Sequence, residues 1–215
     1  DGPDTQAFGD GQFDGDWDTS GQYGFAMPQL YVEGAYGNTS VKIGHFYTII
    51  GYEVVAAPDN FFYSHAYTMN YNEPFTHTGI LAQHDWSEDW TFHLGYTFGW
   101  DTGFTNTNDG ATFLGGISWS PSEYFSVTYA TTVGDPGDDP ASTSDTYMHS
   151  IVVDTQLTDN IEWVVQSDFQ NRQSAVADGK SYGLVNYLFY KWDDCTSFGM
   201  RYEWFRDLRG AAAIA

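Results

Sequence analysis

The chain has 215 residues, of which 19 % are aromatic and 17 % charged, with 29 acidic against 7 basic side chains and a net charge of −22. That balance excludes nucleic acid as a partner, because phosphate binding needs clustered Lys and Arg, and it favours cations. The single cysteine, Cys195, excludes an internal disulfide framework and a thiolate zinc site, and no apolar run approaches the ~20 residues of a spanning helix.

Residues 1–22 are Gly, Asp, Gln and Ser with scattered aromatics, expected to form a loop or arm. With no secretion signal, a secreted protein would stand here in processed or truncated form. Weak alternation then predicts strands over 24–36 and 39–51, joined at Gly37-Asn38, followed by a long link, 52–76. A strand over 77–86 turns at Ser87-Glu88-Asp89 into the clearest element, Trp90 to Asp101. There Trp90, Phe92, Leu94, Tyr96, Phe98 and Trp100 fall on one face and Thr91, His93, Gly95, Thr97, Gly99 and Asp101 on the other, the period of a strand with one apolar side. After a link at 102–111, strands are predicted at 112–119 and 125–134 about a turn at Ser120 to Glu123. Beyond a link at 136–145 come 147–157 and a strand from Ile161, joined by Thr158-Asp159-Asn160. Beyond a link at 172–180 come 181–192 and a strand through Phe198 and Trp204, joined by Asp193-Asp194-Cys195.

This makes about ten strands of ~9–13 residues, the length of a tilted transmembrane strand and longer than the ~5–6 of ordinary sheets. Short and long links alternate strictly, so a meander places every short turn at one rim. The expected fold is all-β, an antiparallel up-and-down transmembrane β-barrel over 23–207, complete or part of a larger barrel, with a tail at 208–215. The face opposite the apolar one is mostly Gly, Ser, Thr, Ala and Gln, which suits a lumen better than bulk water. By this phase the lumen side carries Glu33, Lys42, Gln83, Asp85, Asp101, Asp154, Glu162, Gln166, Asp168, Arg201 and Glu203. Trp86, Trp90, Trp100, Trp119, Tyr124, Trp192 and Trp204 near strand ends fit a membrane-interface girdle.

Val41 to Gly79, with Met27 to Glu33, Tyr182 to Tyr190 and Met200 to Asp207, resembles the bacterial OmpL-like β-barrel porin family of planctomycete type. The resemblance implies an outer-membrane barrel, lipid around it, and passive diffusion of small hydrophilic solutes. Family members are longer, and the C-terminal run Leu208 to Ala215 lacks their terminal aromatic. The chain is therefore expected to be a fragment, a closed ten-stranded barrel, or one copy of a homo-oligomer.

The link from Gly51 to Phe75 is too aromatic for a solvated loop and is expected either to fold inward and narrow the pore or to pack over the rim. Asp59, Asn60, His65 and Tyr67 are its constriction candidates. An acidic lumen would favour cations, unless the polar groups are internal ladders neutralised by Lys42 and Arg201. Asp14, Asp16 and Asp18, or Asp135 to Asp139, suggest a surface calcium site, although Thr19 and Phe25 stand where an EF-hand needs Gly and Glu. His84 and His93 flank a turn on adjacent strands, where they could face each other; without a nearby third ligand they are expected to be rim residues. No cofactor is implied, and no nucleophile elbow, HExxH or phosphate loop points to an enzyme. Two other readings stay open: a structural or self-assembling surface barrel without transport, and a soluble secreted β-sandwich that binds carbohydrate.

Overall fold

Alternation of large apolar with small polar side chains makes ten β-strands pair in sequence order. The structure, a computed structural model, describes residues 27–104, 106, 109–137, 145–173 and 178–208. The strands are β1 (Leu30–Tyr36), β2 (Thr39–Tyr47), β3 (Thr76–Asp85), β4 (Trp90–Thr97), β5 (Ala111–Ser122), β6 (Phe125–Asp135), β7 (Asp145–Thr158), β8 (Ile161–Gln173), β9 (Gly179–Lys191) and β10 (Ser197–Leu208). They form one antiparallel sheet in the order β1 to β10, each strand beside its sequence neighbours. Among the described residues β1 and β10 are not paired with each other, so the sheet is open between them. It is an up-and-down meander in one layer, not the two stacked sheets of a sandwich.

The register fixes the two faces. Phe92 opposes Ile117, Ile117 opposes Tyr129, and Tyr129 opposes Ile151, so the large side chains of neighbouring strands form one continuous outer surface. Leu94 at 64 %, Met200 at 61 % and Tyr202 at 65 % exposure show that nothing among the described residues covers it. A soluble protein rarely leaves so wide an apolar face to water, whereas lipid solvates it. Connections of two to five residues (37–38, 86–89, 123–124, 159–160 and 192–196) lie at one rim and all longer ones at the other.

Three differences from the expected elements have local causes. β4 ends at Thr97, not Asp101, because the chain turns at Gly99 (φ 104°) and Asp101 (φ 48°). A side chain at Gly99 would collide with the carbonyl of Pro136, so only glycine fits there. β5 runs past Pro121 to Ser122, with a register shift between Trp119 and Ser122 that lets the proline stay in the strand. β8 continues to Gln173 and β10 to Leu208, beyond the predicted apolar stretches.

The long connection 48–75 contains a 3₁₀ turn, Ala57–Asp59, and one short helix, α1 (Tyr67–Tyr71). It turns inward across the other face of the sheet. Ile50 joins Phe46, Leu81, Leu114, Ala130 and Met148 in one buried cluster, with Ile49 and Trp100 against it. Ala66 joins Val152, Val164, Val185 and Tyr187 in a second, with Tyr52, Phe62 and Phe189 against it. One segment can touch side chains from β2 through β9 only if the sheet curves around it.

Candidate functional site

The inward segment is held to the wall by a charge network that begins with Glu53. Its carboxylate, 7 % exposed, accepts from Arg201 Nη1 and the Tyr187 hydroxyl, both at 2.9 Å. The other oxygen accepts from the Ala66 amide at 2.9 Å and meets His65 Nδ1 at 3.0 Å. Arg201 also donates to the Ser64 carbonyl and hydroxyl and to the His65 carbonyl, and its guanidinium lies 5.2 Å from the Phe62 ring centre. Glu203 accepts from the Tyr67 amide at 2.6 Å, at the start of α1. A buried charge is tolerated only when paired and fully hydrogen-bonded, and here the pairing joins the segment to β9 and β10.

A second anchor fixes the returning limb. Gln166 accepts from the Tyr52 amide at 3.1 Å and donates to Glu73 at 2.6 Å and to Asp168 at 3.0 Å. Gln170 donates to the Asn72 carbonyl, and the Ser181 hydroxyl to the Asn72 side chain. Burial first, then the neighbouring Asp168 charge, raises the Glu73 carboxyl well above the usual carboxylate range. Burial, helped by the charges of Glu162, Asp154 and Glu53, likewise raises the Tyr52 phenol.

The lumen candidates Glu33, Lys42, Gln83, Asp85, Asp154, Glu162, Gln166, Asp168, Arg201 and Glu203 all fall on the face that carries the segment, by the pairing register. They do not form one open lining. Gln166 and Asp168, each 1 % exposed, are sealed beneath the segment, and Arg201 is taken up by Glu53. Glu33 stands opposite Lys42, whose ammonium lies 5.0 Å from the Tyr31 ring centre. Asp85 accepts from Gln83 and Thr91. Asp101 lies beyond the end of β4 and accepts from the amides of Phe75 and Thr76, pinning the segment's exit. Asp154 and Glu162 stay partly exposed; Glu162 borders a cleft of about 870 Å³ at the short-turn end, walled by Tyr52, Phe61, Phe189 and Asp59.

Of the four constriction candidates, Asp59 is exposed beside that cleft and Tyr67 stacks on Tyr71 at 5.8 Å. Asn60 is occupied inside the segment, accepting from the Val54 amide and donating to the Val54 and Ala56 carbonyls. His65 is held by Glu53. Trp86, Trp90, Trp119, Tyr124 and Trp192 gather at the short-turn rim, with Trp90 stacked on Trp119 at 5.8 Å. Trp204 lies on the outer face against Tyr182 towards the other rim. Trp100 points inward instead and donates to Thr132 at 3.3 Å, because the turn at Gly99 reverses its phase. His84 and His93 lie on opposite faces, opposing Phe92 and Gln83 respectively, so they do not face each other. The calcium candidates Asp14, Asp16 and Asp18 and the 1–22 arm lie outside the described residues, as do 138–139 and 209–215; among the described residues no group of three or more His, Cys, Asp or Glu is arranged to hold a metal ion.

The reading from sequence missed Glu53, Glu73, Gln170, Ser181 and Tyr187. Their signal was the run of adjacent apolar residues in β7 to β9, such as Ile151-Val152-Val153 and Trp163-Val164-Val165. Strands covered on both faces lose strict alternation.

The family model described as "Putative beta-barrel porin-2, OmpL-like" matches residues 1–215. The chain belongs to this family. Its fold and family place it in the bacterial outer membrane as a β-barrel of the porin kind. Among solved structures it is similar to OprD of Pseudomonas aeruginosa, with 11 % identity, a TM-score of 0.45, and coverage of 82 % of this chain and 43 % of that one. A substituted OccD1 (OprD) gives 11 % identity and 0.42, with coverage of 82 % and 42 %. The porin chain thus spans less than half the length of these structures. No curated protein matches it by sequence.

Proposed function

We propose that this porin conducts small hydrophilic solutes by passive diffusion through a lumen narrowed by residues 48–75, with a preference for cations. The observation that carries the reading is the anchoring of that segment across the inner face through Glu53, Arg201 and Tyr187. A loop laid over a rim would need no buried ion pair halfway along β9 and β10. The unpaired edges of β1 and β10 are not viable in hydrocarbon, where every backbone group needs a partner. They pair with further strands of the same barrel.

Cation preference is supported by what remains accessible on the inner face. Asp59, Asp154 and Glu162 face water without a guanidinium beside them, and the Lys191 ammonium is paired to Asp194 at 3.0 Å. A low-dielectric wall concentrates the field of such groups. Planar-bilayer recordings of the full-length protein under a KCl gradient test both parts. Open-channel steps with a reversal potential of cationic sign are expected. Steps with an anionic sign would refute the selectivity, and silent membranes with folded protein would favour a structural barrel.

A further inference from the structure

We propose that Glu73 and Asp168 share one proton and form a latch, which releases the returning limb of the inward segment when that proton leaves. The consequence for conduction rests on the constriction proposed above; the latch itself does not.

Glu73 ends the returning limb and Asp168 stands on β8, at 7 % and 1 % exposure. Gln166 spends both amide hydrogens on them, one on Glu73 Oε1 and one on Asp168 Oδ1. Its own oxygen is taken by the Tyr52 amide, so the amide cannot turn over to serve the pair differently. Glu73 Oε2 is left shielded from water and without a donor, and Asp168 Oδ2 is shielded too, with only the Ser150 hydroxyl of β7 at hand. One amide nitrogen thus holds the two carboxyls side by side. Two bare carboxylates in so dry a place repel, and the orphaned Glu73 oxygen adds its own cost. A single proton between those two oxygens removes both problems.

The Ser150 hydroxyl serves Asp168 alone and brings no charge to offset the repulsion. Glu53 on the descending limb is a like charge already held by Arg201 of β10. Tyr187 on β9 donates its hydroxyl to Glu53. His149 on β7 also acts on Asp168, but it lies on the outer face of the sheet. Behind Glu73 stands Gly51 (φ 89°), where any β-carbon would overlap the Glu73 carboxylate. The carboxyl therefore cannot swing towards Gly51 while the limb stays docked. Once the proton goes, repulsion acts along the line that joins limb to wall, against the weaker contacts of Asn72 with Gln170 and Ser181.

The test is a distance measured by paired spin labels at Asn70 and Lys180, both exposed, in full-length protein carrying Cys195→Ser. One narrow short distance is expected at acid pH, with a longer, broader population appearing at alkaline pH. Glu73→Gln, which keeps the shape and supplies a permanent N–H donor, should hold the narrow distance at both; Asp168→Asn provides the same control from the β8 side. An unchanged distance across pH in the parent would overturn the latch, as would an identical pH response in both variants. Conductance recorded on the same samples separates the two ideas. A distance that moves while conductance stays flat supports the latch and counts against the constriction.

Discussion

Glu53 gathers Arg201, Tyr187, His65 and the Ala66 amide around one buried carboxylate. Removing one partner of such a group costs more than the pair itself contributes, because the survivor stays buried and unpaired. Arg201→Ala should therefore destabilise the docked segment by about 3–5 kcal/mol. Proteolysis of residues 54–70 in detergent would show it, with the parent resistant and the variant cleaved. Glu73 sets a pH dependence of definite sign. Its carboxyl is raised in the folded state, so the folded protein binds the proton more tightly than the unfolded chain. Its contribution to stability is fully present below the unfolded value, about 4.3, and is lost as pH rises through the folded value. Thermal unfolding in detergent should show this loss in the parent and a smaller slope in Glu73→Gln; equal slopes would remove Glu73 from the account.

At the scale of elements, the strands separate a lipid face from a face that carries the segment. Leu94, in the middle of β4 and 64 % exposed, belongs to the first. Leu94→Arg should cost about 2–4 kcal/mol in folding from urea into vesicles, and the same change at Trp86 on the rim about 0–1 kcal/mol. Equal penalties at the two sites would mean that the outer face does not meet hydrocarbon. This face was legible in the sequence because the side-chain period in a strand is fixed at two, and one set of side chains from Trp90 to Tyr96 is uniformly large. Ten of the eleven lumen-side residues share the face that carries the segment for the same reason, Asp101 lying beyond the end of β4. The docking of 48–75 was not legible, since no local period places Glu53 beside Arg201, 148 residues away. Trp100 was misplaced because a left-handed glycine one residue earlier broke the alternation it had seemed to continue. Gly199→Leu extends the point to packing: even a β-carbon there would press on the Phe61 ring. The tip of the segment should lose its seat on β10, seen as increased quenching of a probe placed at Asp59.

The whole molecule joins a curved sheet with an apolar outer surface to an internal segment that fills part of its concavity. Its family and fold supply the barrel, and the anchors at Glu53 and Glu73 supply the obstruction. If that obstruction lies in the solute path, removing it must widen the path without unfolding the wall, because the strand ladders do not depend on it. The most direct measurement compares single-channel conductance of the full-length protein with that of a variant in which residues 54–70 are replaced by a short Gly/Ser link. The account predicts a clear increase in conductance with weaker discrimination between cations and anions; an unchanged conductance from a folded variant would contradict it.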